Sequence, residues 1–483
     1  MKYIVTGRKP ASLFRFFEEI SAVPRPSYHE EKIADYLVDF AKARGLEYYR
    51  DSLHNVLIKA PASAGCEDLP PLMFQGHTDM VCEKNGDVEH DFLKDPLKLY
   101  LDDAGFLRAK GTTLGADNDV AVAAMLALLD GEVKPHPAYE CLFTASEEVG
   151  LDGATGFDYR HVSARHMINM DSERVGVVTC GCAGGIRTDL SLAVHPEPFV
   201  GAALHVSLGG LMGGHSGENI NCGRTNANKL MGRILAALLS TCDARVVWVK
   251  GGSKDNAIPR ESEVLLAVAD PEVASDAICK AAAEIAAELS ADDKSFSVSC
   301  EDAEAEAVML SREDTARVVA VLASVPNGVF EMNHNAKGMV EFSRNLGVVR
   351  TENDTVSFVF ASRSAMDSRL DASTRELDAL ANAIGAKTKH YNRYPGWNFA
   401  PISSVRERYL AAYREVTGEA AIVNVIHAGL ECGIISANLP DMDIISIGPT
   451  MYDIHSPDEA LDLDSVELFW KTVERLIFNW CKK

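Results

Sequence analysis

The chain has 483 residues, of which 47% are hydrophobic and 24% are charged, as is usual for a soluble globular protein. Such a length exceeds one ordinary hydrophobic core and predicts two or more domains. Lys and Arg number 47 against 70 Asp and Glu, and the net charge of −23 argues against nucleic acid or an anionic membrane as a partner.

The N-terminal segment and the cysteines indicate a reducing compartment. Residues Met1 to Phe17 include Arg8, Lys9 and Pro10 and therefore lack the apolar stretch of a secretory signal. The longest apolar run, Val120 to Leu129, is about half of the ~20 residues that a membrane-spanning helix needs. The 11 cysteines are scattered and suggest no disulfide framework. We therefore expect a cytoplasmic protein that does not enter a membrane.

Short apolar runs alternate with helical patterns in the first third of the chain. Helices are predicted within Ser12 to Leu46 and from about Asn118 to Leu129, and strands at Asn55 to Ile58, Leu72 to Phe74, Glu140 to Phe143 and Met167 to Met170. Strands that alternate with helices predict an α/β fold with a largely parallel sheet covered on both faces.

The pattern changes after Asp171. A Gly-rich junction, Cys180 to Gly185, precedes the alternating segment Ala203 to Leu208, which predicts a half-exposed antiparallel strand. Further strands (Glu263 to Ala267, Thr355 to Ala361) and an Ala-rich helix (Ala274 to Leu289) follow, and the α/β pattern returns after Pro395-Gly396-Trp397. We therefore expect a catalytic domain formed by residues 1–182 and 397–483, with an α+β domain inserted at 183–396. The insert, of roughly 210 residues, exceeds the common domain size of about 100–150 and could hold two copies of a smaller α/β unit.

Two adjacent acids, Glu147 and Glu148, follow the predicted strand Tyr139 to Phe143. Sheets of this class keep their sites at the carboxyl ends of the strands. Neighbours in extended chain point in opposite directions, so one glutamate could bind a metal while the other faces a substrate. Taken alone, such a pair is more often a solvated part of a loop.

Other candidate ligands follow predicted strands or precede helices. His77 and Asp79 are two residues apart, and Asp79 is placed to accept the second N–H of a metal-bound imidazole, although a His-Thr-Asp is more often only a turn. Asp117 precedes a helix, where it could bridge two cations or serve as the N-cap.

Asp171 ends a further strand, and His455 follows the strand and turn Ile444 to Pro449, where an isolated His is more often a surface residue. Cys180 and Cys182 lack a second pair at zinc-finger spacing and are interpreted as structural. Two imidazoles and three carboxylates nevertheless suit a pair of divalent ions with one shared carboxylate, the set being His77, Asp117, Glu148, Asp171 and His455.

Seven motifs, in order along almost the whole chain, carry a resemblance to a known family. They are Gly76 to Val81, Gly111 to Asn118, Thr144 to Gly150, Asn169 to Glu173, Gly213 to Gly217, Asp255 to Arg260 and His427 to Gly433. On these motifs the sequence resembles the co-catalytic zinc aminoacylase/carboxypeptidase family, and within it the dipeptidases. The resemblance implies a zinc-exopeptidase-like catalytic domain with an inserted lid domain.

The resemblance also implies a role for each candidate ligand. His77 and Asp171 would hold one zinc ion, Glu148 and His455 the other, and Asp117 both. Glu147 would be the general acid/base, and Asp79 the acid behind His77. The sequence departs from the family pattern at Asp119, where related dipeptidases usually carry Gly, and the added charge puts the metal preference in question.

Substrate contacts come from the inserted and C-terminal segments in this family. His215 would donate to the oxyanion, and the alternative is an ordinary loop imidazole; its flanking glycines favour a role at the ligand. Asn256 and Arg369 would grip the substrate carboxylate, although Arg369 could equally form a salt bridge within the lid. Glu431 would hold the free amine of the peptide, and Gly429 would offer backbone contacts.

The predicted function is a dinuclear zinc dipeptidase for small dipeptides, including aminoacyl-histidine (carnosine-type) substrates, with Co²⁺ or Mn²⁺ as alternative metals. A duplicated lid predicts catalysis within one chain, and a homodimer stays open. One alternative is an N-acyl amino-acid deacylase on the same scaffold. The other is a non-catalytic metal- or peptide-binding relative, against which the presence of Glu147 argues, because binding alone needs no base.

Overall fold

The computed structural model describes residues 3–336 and 338–482, which form two compact units. The first unit holds the described residues of Met1–Cys182, Trp397–Val425 and Leu430–Lys483, and the second those of Ala183–Gly396 and Ile426–Gly429. Residues 426–429, expected in the catalytic domain, belong to the second unit.

The helices and strands are numbered in chain order. The helices are α1 (Ala11–Ile20), α2 (Glu31–Arg44), α3 (Ala116–Leu129), α4 (Asp152–Gly156), α5 (Ala227–Thr241), α6 (Pro271–Glu288), α7 (Arg312–Ser324), α8 (Asp367–Ile384), α9 (Ser404–Thr417), α10 (Glu431–Asn438) and α11 (Leu463–Trp480). The strands are β1 (Glu47–Arg50), β2 (Val56–Ala60), β3 (Leu72–His77), β4 (Leu99–Leu101), β5 (Leu107–Ala109), β6 (Tyr139–Thr144), β7 (His166–Asn169), β8 (Val177–Cys182), β9 (Gly184–Ala193), β10 (Pro196–Pro198), β11 (Ala202–Gly209), β12 (Gly214–His215), β13 (Ala244–Gly251), β14 (Ala257–Ile258), β15 (Ser262–Val268), β16 (Ser297–Ala303), β17 (Val308–Leu310), β18 (Gly328–Met332), β19 (Val340–Glu352), β20 (Thr355–Ser364), β21 (Lys387–Tyr394), β22 (Ile422–Ile426), β23 (Asp443–Ser446), β24 (Met451–Tyr452) and β25 (Ala460–Leu461).

The first unit is built on a mixed sheet with the strand order β1-β2-β6-β3-β7-β23-β8-β22. Its centre is parallel, since β3 pairs in parallel with β6 and β7, and β7 with β23. Both β3 and β6 are buried along their whole length, as strands covered on both faces must be. The predicted α/β fold is confirmed; the sheet, expected to be largely parallel, is mixed, with parallel pairing at its centre and antiparallel pairing toward its edges.

Helix α3 forms much of the core of this unit. Every residue from Val120 to Leu129 is buried, so the longest apolar run of the sequence is a core helix. It packs with Phe16 and Phe17 of α1 in a cluster that also holds Phe469 of α11. Each fully buried Leu or Phe in such a cluster contributes about 1.5–3 kcal/mol. Among the described helices, none combines the length and the apolar character that crossing a bilayer requires.

The second unit is a largely antiparallel sheet, with the strand order β16-β11-β15-β13-β19-β20-β9-β21 and β18 paired to β19. The strand order is mirrored about the middle of the sheet. Counted from the edge of the sheet to its middle, the segment β11-α5-β13-β15-α6-β16 contributes its fourth, first, third and second strands. Counted from the opposite edge, β9 with α7-β19-β20-α8-β21 contributes its strands in the same order. Two similar βαββαβ halves thus lie side by side in one sheet, and they meet where Lys250 pairs with Arg350 and Gly251 with Val349.

Candidate metal centre

Five side chains of the first unit converge at the carboxyl edge of its sheet. His77 is the last residue of β3, Glu148 follows β6, and Asp171 follows β7. Asp117 lies in the first turn of α3, and His455 lies between β24 and β25 with a left-handed φ of 61°. Adjacent parallel strands therefore supply three of the side chains, and loops supply the other two.

The carboxylate of Asp117 stands between two imidazoles. Its Oδ1 lies 3.0 Å from Nε2 of His77, and its Oδ2 lies 3.2 Å from Nε2 of His455. Nε2 of His77 is 3.6 Å from Oδ1 of Asp171, and Nε2 of His455 is 3.1 Å from Oε1 of Glu148. Within each of the groups His77–Asp117–Asp171 and Asp117–Glu148–His455, the ligand atoms all lie within 4.8 Å of one another. Asp117 belongs to both groups, as a bridging carboxylate must.

The charges of the cluster favour a cation at its centre. Burial raises the pKa of Asp171 to about 7, and the carboxylates of Asp117 and Glu148 act in the same direction. Hydrogen bonds to Asp117 and Glu148 raise the pKa of His455 to about 11. Burial lowers the pKa of His77, but the surrounding aspartates outweigh burial and hold it well above its usual value. Neutral imidazoles and carboxylates are ordinary ligands of divalent ions, so this donor set fits two of them.

Asp79 connects the His77 imidazole to the turn that carries the paired glutamates. Nδ1 of His77 lies 3.0 Å from the backbone carbonyl of Asp79 and 3.4 Å from its carboxylate, which leaves Nε2 to face the centre. The same carboxylate accepts the N–H groups of Glu147 and Glu148 at 3.0 and 3.2 Å, and the hydroxyl of Ser27 at 2.7 Å. Burial alone would raise the pKa of Asp79, but these partners lower it.

Glu147 and Glu148 lie in a turn, and the prediction of an extended chain at this point is wrong. The N–H groups of Gly150 and Leu151 donate to the carbonyl of Glu147, at 3.2 and 3.0 Å. Both carboxylates therefore lie within 4.8 Å of a ring nitrogen of His77, rather than on opposite sides of the chain. Burial raises the pKa of Glu147 well above its usual value, which makes its carboxylate a stronger base than an exposed one.

Ser146 gives this turn its direction. Its φ is 52°, a left-handed conformation that costs a residue other than glycine about 1–3 kcal/mol. Its N–H and its hydroxyl both donate to Oε1 of Glu30, each at 2.8 Å, and Glu30 is buried. Sequence reasoning missed Glu30, because the two residues are 116 positions apart.

Glu431 lies beside the centre in the same unit, at the start of α10. It is fully buried, and its Oε2 accepts the side-chain N–H of Gln75 at 2.5 Å and the hydroxyl of Thr144 at 2.8 Å. Its Oε1 has no hydrogen-bond partner among the described residues. Burial raises the pKa of Glu431 to about 7. A buried carboxyl oxygen without a partner is a place where a donor can bind.

In the second unit, His215 lies beside a buried arginine. The N–H of His215 donates to Oδ1 of Asn219 at 2.8 Å, and its Nδ1 accepts the N–H of Glu218 at 3.3 Å. Its Nε2 lies 3.4 Å from Nη2 of Arg363. Burial lowers the pKa of His215, and the positive charge of Arg363 lowers it further, so both favour the neutral imidazole.

Arg363 is a second functional candidate that sequence reasoning missed. It is buried, its Nη1 donates to the hydroxyl of Tyr394 at 2.9 Å, and in the described part of the chain its Nε finds no partner. Arg187 of the same unit is paired with Asp255, and its Nη1 is likewise without a partner there. Guanidinium N–H groups left free in a buried site suit a carboxylate. The available signal was the lone charge in Ala361-Ser362-Arg363-Ser364 at a strand end.

The remaining substrate candidates lie in the second unit. Arg369 is paired with Glu331 at 2.5 Å and lies 3.6 Å from Glu376, which is the salt-bridge alternative of the sequence analysis. The carbonyl of Asn256 accepts the N–H of Ser216 at 2.8 Å. Gly429 lies against the ring of Tyr394.

Comparison with known proteins identifies the relatives of this chain. Residues 73–479 match the family model described as peptidase family M20/M25/M40. The chain is 39% identical over 472 residues to the cytosol non-specific dipeptidase of Escherichia coli (strain K12), with 97% of each chain covered. It is also similar to the crystal structure of aminoacylhistidine dipeptidase from Vibrio alginolyticus, with a TM-score of 0.93, 37% identity, and 98% and 97% of the two chains covered. Aminopeptidase PepT from Bacillus cereus, with a TM-score of 0.58 and 16% identity over 98% of this chain and 100% of its own, shares the fold.

Proposed function

Because the chain belongs to peptidase family M20/M25/M40 and is a dipeptidase of that family, we propose that it cleaves dipeptides at a pair of divalent metal ions, with Glu147 as the general acid/base. One observation carries this proposal. Asp117 offers its two oxygens to two separate ligand groups, and Glu147 lies beside them.

The proposed chemistry needs a proton carrier and a source of nucleophile. Two divalent ions held by the His77–Asp117–Asp171 and Asp117–Glu148–His455 groups would lower the pKa of a shared water from about 15.7 toward neutrality. Glu147 takes the proton of the attacking water and delivers it to the nitrogen of the leaving amine. Burial supports this role, because it raises the pKa of Glu147 well above its usual value and so makes its carboxylate a stronger base. We propose zinc as the native metal, with Co²⁺ or Mn²⁺ as substitutes.

The proposed preference for a dipeptide rests on Glu431 of the first unit, whose Oε1 has no partner among the described residues and suits the free α-amine of the substrate. For the α-carboxylate we propose an arginine of the inserted segment, because a guanidinium suits a carboxylate. Arg363 is favoured over Arg369, because two glutamates already engage the Arg369 guanidinium. Asn256 and Gly429 remain proposals for contacts to the same substrate. An N-acyl amino acid lacks the amine, so the unpartnered oxygen of Glu431 favours a dipeptidase over a deacylase.

We further propose that His215 donates to the oxyanion and that one chain supplies both His215 and Glu147. One such donor contributes roughly 3–4 kcal/mol to the stability of the transition state. The two repeated βαββαβ halves of the second unit support the one-chain proposal, and a homodimer is compatible with it. Inactive His215→Ala and Glu147→Ala chains are mixed, and the mixture should stay inactive. Recovered activity would show that two chains share a site.

The function is tested with three substrates and zinc-loaded protein: β-alanyl-histidine, an ordinary α-dipeptide and an N-acetyl amino acid. We expect cleavage of the dipeptides, including the aminoacyl-histidine, as the name of the Vibrio alginolyticus relative suggests. Glu147→Ala should abolish it while both ions stay bound. Cleavage of the acetylated compound alone would favour a deacylase, and two bound metals without any cleavage would favour a binding protein. We propose a cytoplasmic location, in keeping with the cytosolic relative from Escherichia coli.

A further inference from the structure

The turn before Asp117 is held by a buried glutamate from a distant segment. The carboxylate of Glu459 accepts the N–H groups of three consecutive residues, Leu114, Gly115 and Ala116, at 2.7, 2.9 and 2.8 Å. Glu459 is only 2% exposed. It lies four positions after His455, so one side chain connects the segment that carries Asp117 with the segment that carries His455.

A buried ion pair holds the other side of this turn. Asp119 follows Asp117 by two residues, and its Oδ2 accepts a charge-assisted hydrogen bond from Nη2 of Arg25, with each side chain 1% exposed. The same Nη2 lies 3.4 Å from the carbonyl of Gly115. Gly115 has a φ of 67°, and a Cβ atom there would lie 2.5 Å from the Arg25 guanidinium. Close approach of Arg25 to the backbone therefore requires glycine at this position.

We propose that Arg25, Asp119 and Glu459 form a clamp that sets the position of the Asp117 backbone so that its carboxylate can bridge two metal ions. The inference rests on the dinuclear centre of the proposed function. Asp has a short side chain with two rotatable bonds, so the placement of its oxygens follows the placement of its backbone. Asp119 is thus a positioning residue rather than a ligand, and it is absent from every group of potential ligands found among the described residues.

The clamp and the added-charge interpretation of Asp119 predict opposite effects of one substitution. If Asp119 acted only as extra negative charge, removing the neutralising Arg25 would strengthen metal binding, and Asp119→Asn would weaken it. If the pair positions Asp117, Arg25→Met and Asp119→Asn both weaken binding. The double variant should then be no weaker than either single variant, because each change already breaks the same pair.

The experiment measures zinc binding by competition with a chromophoric chelator, together with the number of ions bound per chain. We expect Arg25→Met, Asp119→Asn and Glu459→Gln each to weaken at least one ion by about 10–100-fold, the usual effect of removing a residue that orients a metal ligand. The matched control is Glu140→Gln. Glu140 is similarly buried in the same unit, and its carboxylate also accepts N–H groups, but from Ser163 and Ala164 rather than from the turn before Asp117. Its zinc affinity should stay within twofold of that of the unsubstituted protein.

The outcomes separate the clamp from the proposed function. Two ions bound by the unsubstituted protein, with unchanged affinities in all three clamp variants, would overturn the clamp alone. Tighter binding by Arg25→Met would overturn it in favour of the added-charge interpretation. Fewer than two ions bound by the unsubstituted protein would overturn the dinuclear centre itself. Far-UV circular dichroism checks folding, and if Arg25→Met does not fold, the isosteric Asp119→Asn and Glu459→Gln variants decide.

Discussion

Removal of the Glu30 carboxylate should slow turnover, because it loosens the turn that carries Glu147 and the candidate ligand Glu148. Two donors of Ser146 bond to one buried oxygen of Glu30 at 2.8 Å each, and hydrogen bonds to charged groups contribute about 1.5–3 kcal/mol. Glu30→Ala therefore removes roughly 3–6 kcal/mol from a turn that already carries the cost of a left-handed Ser146. Reorientation of Glu147 that raises the barrier by only about 2.7 kcal/mol lowers kcat 100-fold.

Conservative variants separate the position of the turn from the charge of Glu30. Glu30→Gln keeps an oxygen that can accept both hydrogen bonds and should lose less than about tenfold in kcat. Ser146→Gly loses the hydroxyl but adopts a positive φ without strain, whereas Ser146→Ala loses the same bond and keeps the strain. We therefore expect turnover to fall in the order unsubstituted protein, Ser146→Gly, Ser146→Ala, Glu30→Ala.

The assay is steady-state hydrolysis of an α-dipeptide, with the bound metal counted in each variant. A positioning role predicts at least a 100-fold loss of kcat for Glu30→Ala and a KM within about threefold, measured at a zinc concentration that loads both metal positions. If Glu30→Ala retains kcat within threefold while it is folded and metal-loaded, the turn does not depend on Glu30 and the reasoning is refuted.

Three further predictions concern the metals, the second unit and a glycine contact. A chelator should abolish activity and lower the midpoint of thermal unfolding, and Zn²⁺ should restore both. The reason is that a bound ion stabilises the folded state by RT ln(1 + [L]/Kd). An unchanged midpoint would contradict this. Burial lowers the pKa of His427 to about 3, whereas an unfolded histidine titrates at about 6.5. The folded state should therefore be most stable above pH 6.5 and lose stability as the pH falls toward 3, because only the unfolded chain takes up the proton in this range. Denaturant titrations measure the unfolding free energy of the unsubstituted protein and of His427→Gln at several pH values below 6.5. The unsubstituted protein should lose up to about 1.4 kcal/mol more per pH unit than the variant, and equal slopes would contradict this. Finally, a Cβ atom at Gly153 would lie 2.1 Å from the carbonyl of Ala145, whereas one at Gly156 meets only the flexible end of Leu53. Gly153→Ala should therefore lower activity and the unfolding midpoint more than Gly156→Ala does.

The parts of the fold that depend on local patterns could be predicted from the sequence. Strands β3 and β6 are short apolar runs, and α3 is a longer one, because strands covered on both faces and core helices bury every residue. The ends of such strands are visible in the sequence as the points where polar residues begin. This is why His77 and Asp171 could be proposed as ligands before their distance to Asp117 was known.

Contacts between distant segments could not be predicted in this way. Asp119 was interpreted as an added charge at the metal centre, whereas its carboxylate is paired with Arg25, 94 positions away. Likewise, spacing alone could not tell which guanidinium of the inserted segment forms an ion pair. Arg369 of α8 is paired with Glu331 of β18, whereas Arg363 donates to the neutral hydroxyl of Tyr394. No local periodicity records such pairings, because they depend on how the layers of the fold pack.

The prediction of the backbone conformation at Glu147 and Glu148 was wrong for a different reason. An extended chain was assumed after β6, yet Ser146 is left-handed and is held there by Glu30. Ser has no strong intrinsic preference for this conformation, so its own identity carries no signal. The signal lies in a glutamate that the folded chain brings next to it.

Many acidic residues of the first unit lie at or near the candidate metal centre. In the proposed function, carboxylates of the first unit have three different tasks: Asp117, Glu148 and Asp171 would bind metal, Glu147 would transfer the proton, and three more acids hold turns. Those three are Asp79, Glu30 and Glu459, and each accepts two or three backbone or hydroxyl donors. Because a turn leaves its N–H groups unpaired, a buried carboxylate can satisfy several of them at once and fix the turn. A centre that gathers this many acids repels itself unless cations bind, so the anchoring carboxylates keep the geometry, and metal ions would supply the compensating charge.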